Sequence, residues 1–192
     1  MTPLPDPIAV AARVSAVLDT IGAQYSIGGS LASSFSGEAR ATMDIDMVVS
    51  MDETQIASLV EALQDDFYID SNALLRAVRQ RSTTNLIEPR TNLKVDLFIA
   101  GGTVLDVELL RRRVLVSPGE NRPERLWIHS PEDILLQKLR WFRRGGEQSD
   151  RQWRDVISII RVQGKRLDRS YLESGAEQLG VGDLLTRALA SA

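Results

Sequence analysis

The chain has 192 residues, of which 43% are hydrophobic and 26% are charged, and its net charge is −3. This composition is ordinary for a globular protein, and it lacks the overall positive charge that is typical of nucleic-acid-binding domains. The absence of cysteine excludes disulfides and thiolate metal sites and fits a reducing compartment. Because no apolar run reaches about 18 residues and no signal-peptide pattern is present, we expect a cytoplasmic protein without a membrane span.

The first two thirds of the chain predict helices and strands in alternation. Asp6 and Pro7 are typical of a helix cap and first helical position, and apolar residues at helical spacing follow as far as Gly22. The pattern then predicts strands at 25–27, 42–49, 67–69 (weak), 114–116 and 126–128, and a hairpin of 83–88 with 93–99. Helices are predicted at 31–35, after Asp52 and from Ser71 or Asn72, and 104–110 is compatible with helix or strand, with a short helix favoured. A loop is predicted at 36–40 and a turn at 117–121.

The last third of the chain predicts helices alone. Ser130, Pro131 and the acids that follow are a strong helix start, and that helix is expected to run to about Arg144. A second helix is expected over 149–163, and two short ones begin at Asp168 and Gly182. We therefore expect an α/β domain at 1–129 and a helical C-terminal part at 130–192.

Two aspartates share one face of the predicted strand at 42–49. Asp44 and Asp46 stand at positions i and i+2, so their side chains project together, while Met43, Ile45 and Met47 project together to the other side. Aspartate is depleted in strands, and like charges on one face repel. Such a pair needs a stabilising partner, and a hard cation such as Mg2+ takes carboxylate oxygens.

A third aspartate and a glycine-rich turn extend this pattern. Asp96 lies in the middle of the strand predicted at 93–99, from which it can join the first two acids if the strands are neighbours. Gly28, Gly29 and Ser30 connect a strand to a helix, whose N-terminus offers unpaired N–H groups to phosphate. Together these residues predict a site for a metal-bound triphosphate.

The same residues resemble the nucleotidyltransferase superfamily that includes DNA polymerase β. Its signature is a Gly-Ser turn, a pair of acids on the next strand and a third acid on a later strand. The run from Thr42 to Asp46 is most similar to the AbiEii-type toxins and the minimal prokaryotic nucleotidyltransferases. The resemblance implies a small mixed β-sheet of the polymerase-β type with flanking helices, followed by a helical part.

The resemblance also implies an activity and roles for the site residues. The activity is transfer of a nucleoside monophosphate from an NTP to an acceptor hydroxyl, with two Mg2+ ions held by Asp44, Asp46 and Asp96. Gly28, Gly29 and Ser30 would hold the nucleotide phosphates. The acceptor stays open between RNA, a protein hydroxyl and a small molecule, and so does the oligomeric state.

Two further motifs of the toxin family have counterparts in the second half. The segment 130–139 resembles the third motif, in which a helix carries a lysine, and the segment 153–156 resembles the fourth, an Arg-Asp pair. Lys138 would then contact nucleotide phosphate, and Asp155 would orient that lysine or the substrate. These members often have a larger C-terminal region than this chain, which leaves the acceptor-binding part open.

Two alternatives to an independent enzyme remain at the level of sequence. One is a nucleotide-binding or regulatory module that has kept the acids without turnover. The other is a toxin–antitoxin component or interaction protein whose activity depends on a partner such as an antitoxin. Arg111, Arg112 and Arg113 are interpreted as a solvated strand edge, with an RNA-phosphate contact as the less favoured reading.

Overall fold

The computed structural model describes residues 4–38, 42–119 and 122–192. It confirms the expected mixed α/β fold with a helical C-terminal part. The helices are α1 Pro7–Thr20, α2 Gly29–Ser36, α3 Ile56–Leu63, α4 Ser71–Gln80, α5 Val104–Arg112, α6 Pro131–Arg144, α7 Asp150–Gln163, α8 Arg169–Gln178 and α9 Gly182–Ser191, and the strands are β1 Gln24–Ile27, β2 Asp44–Ser50, β3 Thr83–Glu88, β4 Leu93–Ile99, β5 Val114–Val116 and β6 Leu126–Ile128.

The strands form a mixed sheet in the order β3-β4-β2-β1-β6-β5. The hairpin partners β3 and β4 are antiparallel, as are β1 and β2, whereas β2 lies parallel to β4. On the other side of β1, β6 pairs in parallel with β1, and β5 is the edge strand, antiparallel to β6. This order places β2 and β4, the two strands that carry the predicted acids, next to each other.

Alternation along β2 and β4 separates an apolar face from a polar one. Ile45, Met47 and Val49 of β2 are completely buried, and so are Val95 and Leu97 of β4. The residues between them are exposed or half-buried. Because a slip of one residue would send the apolar side chains to the opposite face, burial of this face fixes the register of the two strands.

Helix caps explain why several helices begin where the sequence predicts. Asp6 accepts hydrogen bonds from the N–H groups of Ile8 and Ala9, each at 3.1 Å, and Pro7 follows as the first helical residue. Ser130 and Asp168 cap α6 and α8 in the same way. Each such cap stabilises its helix by about 1 kcal/mol relative to alanine.

The described residues fall into two compact units. The first comprises 4–31 and 42–128 and contains the whole sheet, and the second comprises 32–38 and 129–192. The expected division at residue 129 remains a prediction as a domain boundary. Residues 32–38, which the sequence assigned to the α/β domain, group with the second unit.

The strand expected at 67–69 is wrong, and β2 begins at Asp44 rather than at Thr42, so that Met43 precedes the strand and is 51% exposed. Residues 67–69 do not form a strand, because Tyr68 makes one isolated bridge to Ile87 before Asp70 turns the chain into α4. The helix expected from Ser71 or Asn72 is confirmed, because α4 begins at Ser71 and Asp70 caps it. Asp52 caps a short 3-10 turn, Glu53–Gln55, that precedes α3. The predicted loop at 36–40 and the turn at 117–121 lie in part outside the described residues.

Candidate active site

The acids of the two neighbouring strands share the polar face of the sheet. In the parallel register Asp46 of β2 is opposite Asp96 of β4, and Asp44 is opposite Lys94. Asp44 is exposed, whereas Asp46 and Asp96 are half-buried. Since residues that are opposite in register lie on the same face, the structure brings all three predicted aspartates to one surface of the first unit.

The glycine turn closes directly against the second of these acids. Gly28 donates its backbone N–H to the carbonyl oxygen of Asp46 at 2.8 Å. Gly29 has a φ of +59°, and a Cβ at this position would overlap Oδ2 of Asp46 and lie 2.8 Å from its Cγ. Only glycine fits here, because any side chain would occupy the place of the Asp46 carboxylate.

The turn also places a helix N-terminus beside the acids. Gly29 is the first residue of α2 and Ser30 is the second, so the first-turn N–H groups of this helix begin at the point of contact with Asp46. Backbone N–H groups at a helix start are suited to bind phosphate oxygens. The geometry thus brings Gly28, Gly29 and Ser30 together with Asp46, as the sequence predicts.

Lys94 is a member of this surface that the sequence reasoning missed. Its ammonium lies 2.9 Å from Oδ2 of Asp96, and the two side chains are 48% and 19% exposed. The hydrogen bond and charge of Asp96 raise the pKa of Lys94, and the charges of Asp44 and Asp46 act in the same direction. The signal was available, because Lys94 stands two residues before Asp96 in a strand and therefore shares its face.

The donor set suits a magnesium ion, although its present arrangement is not a closed metal site. Carboxylate oxygens are the ligands that Mg2+ prefers, and one face of β2 and β4 offers three carboxylates. In the part of the chain that the structure describes, no group of three or more Asp, Glu, His or Cys side chains is arranged to hold a metal ion. Instead, the ammonium of Lys94 binds the carboxylate of Asp96.

The two predicted residues of the second unit are in direct contact. Nζ of Lys138, on α6, lies 2.5 Å from Oδ2 of Asp155, on α7, and their side chains are only 6% and 11% exposed. A buried charge is retained only where it is paired, and each of these side chains supplies the other with its counter-charge. The sequence therefore predicted the pairing of Lys138 with Asp155, whereas its use in nucleotide binding remains a prediction.

A network of buried polar groups supports the start of α6. Asp133 accepts hydrogen bonds from the hydroxyl of Ser130 at 2.6 Å and from the hydroxyl of Tyr171, on α8, at 2.6 Å. Glu132 accepts the backbone N–H of Asp168 at 2.9 Å. These contacts hold the start of α6 against the start of α8. They thereby hold Lys138 in place, because Lys138 is part of α6.

The arginine triplet does not form a strand edge, which corrects the sequence interpretation. Arg111 and Arg112 belong to the last turn of α5, and Arg111 pairs with Glu108 at 2.7 Å. Arg113 donates to the carbonyl oxygen of Tyr25 at 2.9 Å, and its guanidinium lies 4.6 Å from the ring centroid of Trp127. Helix α5 continues through Arg112, because basic side chains are favourable in the last turn of a helix.

Comparison with known proteins defines the fold. No protein-family model and no curated protein matches the chain in sequence. Among solved structures, an antigenic nucleotidyltransferase-like protein from Paracoccidioides brasiliensis is similar with a TM-score of 0.54 and 20% identity, over 95% of this chain and 91% of that one. A solution structure of the antibiotic-resistance factor ANT(2'')-Ia is also similar, with a TM-score of 0.53 and 12% identity, over 95% of this chain and 92% of that one.

A crystal structure of ANT(2'')-Ia in complex with adenylyl-2''-tobramycin has a TM-score of 0.57 and 11% identity, with 89% of this chain and 95% of that one covered. These similarities show that the chain has the nucleotidyltransferase fold. The fold expected from the sequence is thus confirmed, whereas membership of the nucleotidyltransferase superfamily and a particular closeness to the AbiEii-type toxins stay predictions. No helix among the residues described is long and apolar enough to cross a membrane.

Proposed function

We propose that the protein is a magnesium-dependent nucleotidyltransferase, which transfers a nucleoside monophosphate from an NTP to an acceptor hydroxyl and releases pyrophosphate. The observation that carries the proposal is the contact of the glycine turn with the acid face. Gly29 leaves room for the Asp46 carboxylate and no more, and Asp46 is in register with Asp96. A helix start suited to phosphate and carboxylates suited to a metal ion thus lie side by side, on a fold that nucleotidyltransferases share.

The acids are proposed to hold the metal and to receive the proton. Asp44, Asp46 and Asp96 are the proposed Mg2+ ligands, because they share one face and offer hard oxygen donors. Bound Mg2+ in such a site neutralises triphosphate charge and lowers the pKa of a bound hydroxyl. In the transfer, the acceptor oxygen bonds to the α-phosphorus, the bond from that phosphorus to the bridging oxygen breaks, and pyrophosphate leaves. The hydroxyl proton passes to the carboxylate of Asp96.

The remaining predicted residues are assigned to the nucleotide. Gly28, Gly29 and Ser30 bind the β- and γ-phosphates through the N–H groups at the start of α2 and the serine hydroxyl. Lys138 contacts nucleotide phosphate, and Asp155 holds its ammonium when nucleotide is absent, as the 2.5 Å contact allows. Catalysis of this kind depends chiefly on positioning and on stabilisation of charge.

Identification of the labelled product tests the proposal and the acceptor together. The purified protein is incubated with each α-labelled NTP, Mg2+ and cell extract, and the label is followed after nuclease treatment, after protease treatment and in the small-molecule fraction. We expect label in one of the three fractions, with release of pyrophosphate. The ANT(2'')-Ia complex contains adenylyl-2''-tobramycin, so tobramycin is included as a candidate acceptor.

A matched pair of variants separates chemistry from folding. Asp46→Asn removes a carboxylate from the proposed site, whereas Asp65→Asn makes the same change at an exposed position of the same unit. We expect loss of transfer in the first and full transfer in the second. Nucleotide binding without pyrophosphate release in the wild type would instead identify a binding or regulatory module.

A role as a toxin is proposed as the physiological setting of this activity. It rests on the resemblance of the run from Thr42 to Asp46, and of the segments around Lys138 and Asp155, to the motifs of AbiEii-type toxins. We expect that expression arrests growth, that Asp46→Asn abolishes the arrest, and that an antitoxin encoded by a neighbouring gene relieves it. Normal growth with active enzyme present contradicts the toxin role and leaves the transfer reaction standing.

A further inference from the structure

Lys94 is fixed on the acid face by the packing of its own strand. Its neighbours Leu93 and Val95 are buried on the opposite face, at 1% and 0% exposure. The alternation of β4 therefore sends the Lys94 side chain to the side of Asp96, and the register places it opposite Asp44. The lysine can change its rotamer on this face, but it cannot leave the face without unpairing β4.

The ammonium of Lys94 and a metal ion require the same carboxylate. Nζ lies 2.9 Å from Oδ2 of Asp96, which is hydrogen-bonding distance for a charged pair. An ion that takes Asp96 as a ligand must displace this ammonium or accept a positive charge at close range. Either event lowers the affinity of the acid face for a divalent cation, because like charges repel and a salt bridge has to be given up.

We propose that Lys94 is a positioning residue that serves as the built-in counter-ion of the acid face: it holds Asp96 in the metal-free protein and has to be displaced before a metal ion can use that carboxylate. The inference rests on the metal site of the proposed function. It assigns Lys94 two measurable effects. It stabilises the metal-free fold by reducing repulsion among three carboxylates, and it weakens metal binding.

The proposed role of Lys94 depends on its contact with Asp96, and this dependence distinguishes it from a general effect of charge on metal affinity. Loss of any positive charge favours cation binding slightly, whereas loss of the Lys94 contact acts through one carboxylate. Lys165 is an exposed lysine of the second unit, and Lys165→Gln makes the same change in net charge away from the acids. It therefore serves as the matched control for Lys94→Gln.

The test is a titration of each metal-free protein with Mn2+, in which free ion is read by electron paramagnetic resonance. We compare the wild type, Lys94→Gln, Lys165→Gln, Asp96→Asn and the double variant with Lys94→Gln and Asp96→Asn. We expect Lys94→Gln to bind Mn2+ about tenfold more tightly than the wild type, as estimated for removal of a charge a few ångströms away in a partly solvated site. Lys165→Gln should bind like the wild type, and in the Asp96→Asn background the gain should fall below about twofold.

Thermal unfolding gives a second reading that needs neither nucleotide nor turnover. In EDTA we expect Lys94→Gln to unfold at a lower temperature than the wild type and Lys165→Gln, and we expect saturating Mg2+ to remove that difference. Equal Mn2+ affinity in wild type and Lys94→Gln, or an equal gain in Lys165→Gln, overturns the role of Lys94 alone. Absence of Mn2+ binding in every variant overturns the metal site itself, and with it both this inference and the proposed function.

Discussion

Replacement of Gly29 by alanine is a sharp test of how the turn and the acid face fit together. Two separate costs are expected, one from the backbone and one from the overlap. The φ of +59° lies in the left-handed region, which costs a residue with a Cβ about 1–2 kcal/mol. The new Cβ would also overlap Oδ2 of Asp46, and overpacking of this kind costs about 1–3 kcal/mol when neighbours have to move.

Gly22 supplies the matched control, because it has the same kind of backbone without the overlap. Its φ is +70°, and a Cβ there would meet no atom within 4 Å. Gly22→Ala should therefore lower the free energy of unfolding by only the backbone cost, about 1–2 kcal/mol. Gly29→Ala should lower it by about 2–5 kcal/mol, the sum of both costs. The difference between the two variants measures the overlap with Asp46.

A double-mutant cycle tests whether the Asp46 carboxylate is the group that a Cβ at position 29 would overlap. In an Asp46→Ala background the carboxyl oxygens are gone, and the nearest remaining side-chain atom is Cβ, at 3.2 Å. We expect Gly29→Ala to cost about 1–3 kcal/mol less in that background than in the wild type. Urea unfolding followed by circular dichroism measures each corner of the cycle, and transfer activity should be lost in Gly29→Ala but kept in Gly22→Ala.

Equal destabilisation by Gly29→Ala and Gly22→Ala, with no coupling to Asp46, would refute this reasoning. The glycine turn would then not be in close contact with the Asp46 carboxylate. The proposal that the start of α2 binds phosphate beside the acids would lose the observation on which it rests.

Three further predictions concern the acids, the buried pair and the single histidine. Asp46→Asn should abolish transfer while its melting temperature stays equal or rises, because a repelling charge is removed; a melting temperature that falls well below that of Asp65→Asn would indicate a structural role. Lys138→Ala should weaken apparent NTP affinity at least about tenfold, by loss of a charge-assisted contact, and should lower the free energy of unfolding by about 3–5 kcal/mol, since it breaks a largely buried ion pair. Nucleotide titration and urea unfolding measure the two effects, and unchanged NTP affinity would limit the pair to a structural role. Burial lowers the pKa of His129 to about 3, so the unfolded state binds one more proton between that value and about 6.5. The His129 contribution is therefore complete above about pH 6.5 and is lost as the pH falls towards 3, at up to about 1.4 kcal/mol per pH unit, and His129→Gln should remove that slope from urea unfolding measured at pH 5 and 7.

The sequence was sufficient for the elements and for the face that carries the acids. Period-2 alternation in 44–49 and 93–99 predicted which side chains are buried, and the caps at Asp6, Ser130 and Asp168 marked helix starts correctly. These are local signals, because each depends on residues within one turn or one strand. The same locality explains why the hairpin of β3 and β4 was predicted with its observed bounds.

Contacts between distant residues could not be read in the same way. That β2 lies parallel to β4, with Asp44 opposite Lys94, depends on the order of strands in the sheet. The sequence therefore placed three acids without showing which residues of the neighbouring strand lie opposite them. The weak strand predicted at 67–69 is wrong because local β propensity is not enough to form a strand. Only Tyr68 pairs with the neighbouring strand, through a single bridge to Ile87.

The most direct test of the central claim is to follow which phosphate of the nucleotide is transferred. Parallel reactions contain Mg2+, acceptor and either α-labelled or γ-labelled NTP, with wild type, Asp46→Asn and Asp65→Asn. Nucleotidyl transfer predicts that label from the α position enters the acceptor, that label from the γ position leaves as pyrophosphate, and that only Asp46→Asn loses both. Transfer of the γ label to the acceptor, or release of inorganic phosphate without any labelled acceptor, would contradict the account.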